Sequence, residues 1–255
     1  MESFKHAIVR EPGPNFAQGI TVAGLGAPDF NKALFQHRKY CEALESFGIS
    51  LIRLSADLKY PDGCFVEDTA VIVGDHAVIT RPGHPSRLGE QAATEQALAE
   101  HKKISHIVEP GTLDGGDVLY MDGHFYIGLS QRTNKEGAAQ LAEIVKSQKM
   151  SFTTLPVYRL LHLKSGVTSI GADSIVCVPE LIHAEAFELF SLKIEVSKAE
   201  RHAANCLLIN NTVLMPSNCP ELRERIERSG KKVVVLDMSE FEKMDGGLSC
   251  LSIRF

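Results

Sequence analysis

The stretch VEDTAVIVGDHAVITRPG, from Val66 to Gly83, places two runs of apolar and β-branched residues on either side of Gly74-Asp75. This pattern predicts a β-hairpin that turns at the Gly-Asp pair. Three later stretches repeat the pattern, and the end of the chain supplies one more strand without a partner. The repeats are Gly115–Asn134, Ser165–Glu180 and Ala203–Asn218, with turns near Asp122-Gly123, Gly171-Ala172 and Asn210-Asn211, and the terminal stretch is Gly247–Phe255.

The hairpin openings recur at a nearly regular interval along the chain. Asp68, Asp117, Gly166, Asn205 and Ser249 mark these openings, and the successive intervals are 49, 49, 39 and 44 residues. Repeats of this length are typical of propellers and other closed arrays.

Pairing of the two chain ends would close such an array into a ring. The segment FKHAIVRE, Phe4 to Glu11, is a predicted strand without a partner, and so is the C-terminal strand. Their pairing would remove two exposed sheet edges. We therefore predict pseudo-fivefold repeats closed by the N- and C-terminal strands. The alternative is a plain α/β sandwich in which the hairpins are unrelated.

The segments between the hairpins have apolar residues at helical spacing, and further strands follow some of them. The predicted helices are Asp29–Phe47, Arg87–His101, Asn134–Lys146 and Pro220–Ser229. The further strands include Ser50–Leu54 and Lys232–Leu236. Each unit is therefore predicted to contain a hairpin, a helix and a third strand, which makes an α/β protein. No linker-like stretch divides residues 1–255, so we predict a single domain.

Composition excludes several classes of protein. Of the 255 residues, 44% are hydrophobic and 23% are charged, proportions that exclude a disordered or fibrous chain. The formal net charge of −5 gives no basic surface for nucleic acid. No apolar run approaches the roughly 18 residues that cross a bilayer, and the N-terminus lacks a signal-peptide pattern, so we expect a cytoplasmic protein without a membrane partner. The six cysteines show neither a C-x-x-C pair nor zinc-site spacing.

Chemically reactive residues collect at the hairpin openings. If rotation relates the units, these openings converge on one axis and bring together a cysteine, a histidine and several carboxylates. Such a set offers a nucleophile, a general acid or base, and a means of holding a cation. Each residue alone has a structural interpretation, as a buried thiol, a core histidine or a turn-forming acid. The shared phase favours a Cys/His hydrolase of a cationic substrate. The residues at this phase are Asp62, Glu67, Asp68, Asp114, Asp117, His162, Lys164, Asn205, Ser249 and Cys250.

Six motifs resemble those of the dimethylarginine dimethylaminohydrolase family, in order and at matching separations from about Lys5 to Phe255. They are FVED at 65–68, GTLDGGDVL at 111–119, SQRTN at 130–134, LHLKSG at 161–166, AANC at 203–206 and DGGLSC at 245–250. A set of this size is far more specific than one short pattern. The resemblance implies the pentein fold, a five-bladed ββαβ propeller, which agrees with the repeat of hairpins.

The resemblance also implies a reaction and a role for each matching residue. The family hydrolyses Nω-methylated arginines to citrulline and methylamine or dimethylamine through a thiouronium intermediate on a cysteine. The implied catalytic residues are Cys250 as nucleophile, His162 as general acid and base, and Asp114 as the carboxylate that orients His162. The implied substrate contacts are Asp62, Glu67 and Asp68 around the guanidinium, Arg87 and Arg132 on the α-carboxylate, Ile20 in a mobile lid, and the carbonyls of Met244 and Asp245 on the amino group.

This chemistry calls for neither an organic cofactor nor a metal ion. A guanidinium carbon is a poor electrophile, so a thiolate is a suitable nucleophile, and carboxylates rather than N–H donors hold the cation. The expected partner is a small cationic amino-acid substrate. A homodimer is compatible with the sequence, although no motif indicates one.

Two alternatives remain within the same fold. Arginine and agmatine deiminases carry a second guanidine-binding Asp two residues after the His, where this chain has Lys164. A lysine cannot hold a cation, so the sequence favours the dimethylarginine enzyme. Other pentein proteins act by binding and have no catalysis, whereas Cys250, His162 and Asp114 are all retained here.

Overall fold

Short strands form the framework of the protein in a computed structural model that describes residues 4–171, 173–181, 184–188 and 190–255. The strands are β1 His6–Arg10, β2 Ser50–Leu54, β3 Ala70–Val73, β4 His76–Ile79, β5 Lys103–His106, β6 Val118–Met121, β7 His124–Leu129, β8 Ser151–Pro156, β9 Val167–Gly171, β10 Ser174–Cys177, β11 Leu192–Glu195, β12 Leu207–Ile209, β13 Thr212–Pro216, β14 Lys232–Leu236 and β15 Ile253–Arg254. The helices are α1 Phe30–Ser46, α2 Ala92–Ala99, α3 Lys135–Ser147, α4 Pro220–Arg228 and α5 Ser239–Glu242.

The strands form five sheets of three strands, and each sheet has the same internal order. In one of them, β3 and β4 form the predicted antiparallel hairpin, and β5 pairs in parallel with β4. The sheets β6-β7-β8, β9-β10-β11 and β12-β13-β14 repeat this arrangement. A parallel third strand requires a crossover, which is why helices follow most of the hairpins.

The fifth sheet takes its strands from both ends of the chain. β15 pairs antiparallel with β1, with Ile253 opposite Ile8, and β2 pairs in parallel with β1. β15 is thus the first strand of this blade, and β1 and β2 are its second and third strands. The predicted closure by the two terminal strands is confirmed.

Neighbouring blades contact each other around a ring through their first strands. β15 contacts β3, β6 contacts β9, and β9 contacts β12. Val71 of β3 and Val118 of β6 share one buried apolar cluster, and Leu207 of β12 packs in another with Leu251, just before β15. The closed ring of five units predicted from the hairpin repeat is confirmed, and so is the five-bladed ββαβ propeller that the family resemblance implies; the alternative of a plain sandwich is wrong.

The observed helices differ from the predicted ones in two places. The segment 87–101 was predicted to be helical throughout, but α2 begins only at Ala92, because Gly89 has a φ of +100° that a helix cannot contain. Arg87 instead ends a short 3-10 turn, Pro85–Arg87. Between β10 and β11 the described residues form two 3-10 turns, Pro179–Leu181 and Ala184–Phe187, rather than an α-helix.

Ala172, at a predicted hairpin turn, lies outside the described residues. Within the part of the chain that the structure describes, no helix has both the length and the apolar character needed to cross a bilayer.

Candidate active site

A short 3-10 turn precedes the first strand of each blade, and these turns hold many of the predicted site residues. The turns are Val66–Thr69, Gly115–Asp117, Leu163–Ser165, Lys198–Ala204 and Ser249–Leu251. Neighbouring turns contact each other, so they meet at one end of the ring. The motifs occupy equivalent positions in the five repeats because the same turn is repeated around one axis.

A small pocket with a volume of about 30 Å³ lies where the turns meet. Most of the predicted site residues line it. Three lining residues were not predicted from the sequence, because apolar and glycine side chains next to a motif carry no chemical signal of their own. The lining residues are Ile20, Asp62, Asp68, Arg87, Arg132, His162, Met244, Asp245 and Cys250, together with the unpredicted Phe65, Leu161 and Gly246.

His162 is buried between carboxylates. Its Nε2 lies 3.0 Å from Asp114 Oδ2, and its Nδ1 lies 3.8 Å from Asp68 Oδ1. Burial acts to lower the pKa of His162, but Asp68, Asp114 and Asp117 outweigh burial and raise this pKa to about 9. The imidazole is therefore protonated near neutral pH and has a proton to donate.

Gly116 allows His162 to approach Asp68 closely. A Cβ at this position would lie 2.6 Å from His162 Nδ1 and 2.8 Å from Asp68 Oδ1, so only glycine fits without displacing one of them. The N–H of Gly116 also donates to Asp68 Oδ1 at 2.9 Å. The second glycine of the LDGGD motif is therefore needed because any side chain there would collide with His162 or Asp68.

Arg87 is buried against two carboxylates. It contacts Asp68 Oδ2 at 2.6 Å and Glu90 Oε1 at 2.6 Å, and it donates to the Phe65 carbonyl at 3.2 Å. Burial opposes ionisation of Asp68, but the charges of His162 and Arg87 prevail and hold its pKa below the usual range. Arg87 Nε is buried and has no hydrogen-bond partner among the described residues, so one donor of this pocket-lining side chain is unused.

Asp117 is fully buried and accepts three hydrogen bonds. The hydroxyls of Ser130 and Thr133 donate to its Oδ2 at 2.6 and 2.7 Å, and the N–H of Leu163 donates to its Oδ1 at 3.0 Å. Burial raises the pKa of Asp117, although these donors and the charge of His162 oppose the rise.

The contacts of Asp117 extend to three predicted site residues. Leu163 follows His162 directly, the Ser130 hydroxyl accepts from the N–H of Arg132 at 2.9 Å, and the Thr133 hydroxyl accepts from the N–H of Asp114 at 3.2 Å. One buried carboxylate thus fixes the backbone at or beside all three of them. Arg132 also contacts Asp114 Oδ2 at 3.4 Å.

Cys250 has two N–H donors close to its sulfur. The N–H of Gly247 lies 3.4 Å from Sγ, and Asn205 Nδ2 lies 3.7 Å from it. Asn205 Oδ1 accepts from the N–H of Ser249 at 3.0 Å, which ties the end of the turn before β12 to the turn that carries Cys250. Burial, followed by the charges of Glu67 and Asp68, raises the pKa of Cys250 to about 12, so the thiol is protonated near neutral pH.

Residues of the predicted lid close over the pocket. The N–H of Ile20 donates to both oxygens of Asp62, at 3.1 and 3.2 Å. Asp245 Oδ2 accepts from the Thr21 hydroxyl at 2.9 Å and from the N–H of Val22 at 2.7 Å. Burial raises the pKa of Asp62, and its contact with the lid opposes the rise. These contacts hold residues 20–22 beside the pocket.

Glu67 does not join the other predicted residues in the pocket. Its Oε1 contacts Lys164 Nζ at 2.7 Å and Arg254 at 3.0 Å, and its Oε2 accepts from the Ser249 hydroxyl at 2.7 Å. It lines a separate cavity of about 590 Å³ that runs along the first strands. Lys164 lines the same cavity, whereas the pocket lies at the N-terminal ends of those strands.

One group of described residues brings three metal-binding side chains together. Ligand atoms of Asp68, Asp114 and His162 all lie within 4.8 Å of one another. Arg87 and Arg132 each contact one of these carboxylates, so the protein itself supplies cations that balance them. The absence of a metal from the reaction stays a prediction.

A closed ring of five ββαβ blades, with a thiol, an imidazole and carboxylates at its axis, defines a pentein of the guanidine-modifying class. A family model described as N,N dimethylarginine dimethylhydrolase, eukaryotic, matches residues 29–253. The chain belongs to this family, the dimethylarginine dimethylaminohydrolases. The resemblance predicted from six sequence motifs is confirmed.

Relatives and solved structures match over nearly the whole chain. The N(G),N(G)-dimethylarginine dimethylaminohydrolase of Pseudomonas aeruginosa is 39% identical over 254 residues, which cover 99% of this chain and 100% of the relative. The protein of the same name from Streptomyces coelicolor is 36% identical, with 98% and 96% covered. A cysteine-to-serine mutant of the Pseudomonas aeruginosa protein, complexed with citrulline, matches with a TM-score of 0.97 at 38% identity and full coverage of both chains. A dimethylarginine dimethylaminohydrolase with histidine replaced by glycine, as an adduct with S-methyl-L-thiocitrulline, has a TM-score of 0.95 at 38% identity, with 99% and 100% covered.

Proposed function

We propose that this protein hydrolyses asymmetric dimethylarginine and monomethylarginine to citrulline and dimethylamine or methylamine. The observation that carries the proposal is the pocket in which the Cys250 thiol and the His162 imidazole meet the carboxylates of Asp62 and Asp68. The names of two relatives and the citrulline complex of one of them support the substrate class.

Substrate binding activates the nucleophile in this mechanism. The lid opens, and Asp62 and Asp68 receive the unmethylated side of the guanidinium. The substrate then places a positive charge beside Cys250, where burial, followed by the charges of Glu67 and Asp68, otherwise holds the thiol protonated. This charge lowers the pKa of Cys250, and the thiol releases its proton to solvent water, because His162 already carries a proton.

The covalent step follows from the protonation states in the pocket. The Cys250 sulfur attacks the guanidinium carbon, and a C–S bond forms. The His162 imidazolium gives its proton to the departing amine as the C–N bond breaks, which leaves a thiouronium on Cys250. Neutral His162 then removes a proton from water, and the water oxygen attacks the same carbon. The C–S bond breaks, and the remaining hydroxyl proton of the adduct passes to the leaving sulfur, which gives citrulline, the Cys250 thiol and the His162 imidazolium.

The remaining pocket residues orient the substrate. Arg87 and Arg132 are the candidates for the α-carboxylate, and the unused Nε donor of Arg87 supports this assignment. Ile20 covers the bound substrate, and the carbonyls of Met244 and Asp245 accept from its amino group. Asp114 holds the imidazole through the 3.0 Å contact with Nε2. Glu67 is left out of this set because it lines the separate cavity, where Lys164, Arg254 and Ser249 contact its carboxylate.

The deiminase alternative is disfavoured by the position of Lys164. A deiminase needs a guanidine-holding carboxylate two residues after its histidine, and here that residue is a lysine paired with Glu67 in the other cavity. The side of the guanidine pocket that such a carboxylate would occupy is left to the N-methyl groups.

The test is turnover of asymmetric dimethylarginine, monomethylarginine, symmetric dimethylarginine, arginine and agmatine, with the ureido product and the released amine both measured. We expect kcat/KM to be highest for the first two, and symmetric dimethylarginine to be poor because both its terminal nitrogens are methylated. Cys250→Ser should abolish turnover, whereas Cys41→Ser, at a buried thiol outside the pocket, should retain it. Efficient ammonia release from arginine, with dimethylarginine inert, would identify a deiminase instead.

A single domain, a cytoplasmic location and a homodimer stay predictions. Limited proteolysis, cell fractionation and size-exclusion chromatography with light scattering test them in turn.

A further inference from the structure

A second cluster of cysteine, histidine and carboxylate lies outside the pocket. Cys219 is the residue before α4, His202 lies in the 3-10 turn Lys198–Ala204, and Glu242 ends α5. Cys219 Sγ lies 3.3 Å from His202 Nε2, and the same Nε2 lies 2.8 Å from Glu242 Oε1. None of the three residues lines the pocket.

The charge on His202 distinguishes this cluster from an ordinary buried thiol. Its contacts with Cys219 and then Glu242 raise the pKa of His202 to about 10, against the opposing effect of burial. The imidazole is therefore a cation near neutral pH, held in place by Glu242. An imidazolium within hydrogen-bond distance of a thiol favours the thiolate, which is the nucleophilic form.

The chain contains an internal comparison for this interpretation. Cys41 Sγ also lies near a histidine, 3.8 Å from His37 Nδ1. Burial lowers the pKa of His37 to about 4, so that imidazole is neutral and gives a thiolate no charge to pair with. Burial is also the first cause of a raised pKa at the other thiols, Cys64, Cys177, Cys206 and Cys250.

Among the described residues, His202 is the cationic side chain in contact with Cys219. Glu200 accepts from the N–H groups of Glu221 and Leu222, so its negative charge offsets the positive end of α4. The Ser217 carbonyl lies 3.5 Å from Sγ and is the acceptor for a protonated thiol. No further cation contacts Cys219 among the described residues.

We propose that Cys219 is a site of oxidation by small peroxides, activated by His202 and Glu242. The thiolate sulfur attacks one peroxide oxygen, an S–O bond forms and the O–O bond breaks. For hydrogen peroxide, the leaving hydroxide takes the His202 proton and departs as water. The sulfur is oxidised by two electrons to sulfenic acid, and the peroxide is reduced by two. Cys219 itself is 3% exposed, and the side chains of His202 and Glu242, the two partners in the cluster, are 33% and 26% exposed, so the cluster borders solvent on their side.

The test uses the full-length, substrate-free protein, treated with hydrogen peroxide near neutral pH in the presence of dimedone. Mass spectrometry then quantifies the sulfenic-acid adduct at each cysteine. We expect the adduct at Cys219 to exceed that at Cys41 and at Cys250 by at least about tenfold. His202→Gln should reduce Cys219 labelling by at least about tenfold, because it removes the imidazolium that supports the thiolate. Glu242→Gln should also reduce it, because it removes the carboxylate that keeps His202 charged.

Two controls keep a folding defect or a catalytic failure from imitating the result. Retained hydrolysis of dimethylarginine and an unchanged thermal midpoint show that the variants are folded. Cys250→Ser should label at Cys219 as wild type does, so the outcome is independent of the proposed hydrolase activity. An unlabelled Cys219 in wild type, or equal labelling in folded His202→Gln, overturns the proposal.

Discussion

A cation in the pocket is expected to switch Cys250 from an unreactive to a reactive state. Burial and the charges of Glu67 and Asp68 raise the pKa of this thiol to about 12 in the substrate-free protein, and the Gly247 N–H and Lys164 do not cancel the rise. A thiol with that pKa is roughly one part in ten thousand thiolate at about pH 8. An ordinary thiol with a pKa of about 8.5 is roughly one quarter ionised at the same pH.

The measurement is the ultraviolet absorbance of thiolate, taken as the difference between wild type and Cys250→Ser. This signal needs no reagent to enter a closed pocket of about 30 Å³. Without a ligand, we expect no Cys250 transition below about pH 10. L-arginine, which carries the guanidinium, should lower the apparent pKa of Cys250 by at least about one unit, because its charge lies beside the sulfur.

L-citrulline is the matched control for arginine. It has nearly the same shape and keeps the α-carboxylate, but its ureido group is neutral, so it should leave the thiolate signal unchanged. A Cys250 transition near pH 8.5 in the ligand-free protein would refute the role assigned to burial and to Glu67 and Asp68. An equal shift with citrulline would refute the role assigned to the substrate charge.

Three other predictions address residues around the nucleophile. Asn205→Ala removes one of the two donors to Cys250 Sγ and should lower kcat/KM roughly two- to tenfold, corresponding to about 0.5–1.5 kcal/mol. Asn31→Ala, at an exposed position of α1, is the control, and an unchanged kcat/KM for Asn205→Ala would exclude the contact. The raised pKa of His162 means that its proton is present below about pH 9 and lost above it. We therefore expect kcat at saturating substrate to fall above about pH 9, and a kcat that continues to rise there would contradict the general-acid role. Arg132→Ala should lose most of the preference for dimethylarginine over its decarboxylated analogue, about ten- to a hundredfold in kcat/KM, and an unchanged ratio would remove Arg132 from the α-carboxylate site.

The ring could be predicted from the sequence because each blade repeats one local pattern. Ser50–Leu54 and Lys232–Leu236 form strands with the predicted bounds, since apolar runs after a helix are a strong local signal. The late start of α2 depends on the backbone conformation of Gly89, and the connection between β10 and β11 lacks a strong helical signal. Such features depend on local geometry that periodicity does not encode.

The composition of the pocket was predictable for a related reason, but the direction of each side chain was not. Equivalent positions in the repeats bring Asp68, His162 and Cys250 to the same end of the ring. The repeat pattern does not predict that Glu67 and Asp68 point into different cavities, which they do because consecutive residues of a 3-10 turn point about 120° apart. The pKa values of His162 and Cys250 likewise depend on burial and on charges from other blades, which only the folded chain brings together.

At three of the turns, neighbouring side chains point to opposite sides, one into the cavity and one into the pocket. This arrangement keeps Lys164 from neutralising the carboxylates of the pocket. Glu67, Lys164 and Ser249 line the cavity along the first strands, whereas Asp68, His162 and Cys250, one or two residues away, line the pocket. The cavity-facing residues contact one another through Glu67, so the positive charge of Lys164 is matched by that carboxylate. Asp62 and Asp68 therefore line the pocket without a competing lysine. Lys164, two residues after His162, is compatible with a cationic substrate. The turn Leu163–Ser165 directs its side chain into the cavity, away from the pocket, and its charge is already paired with Glu67 there.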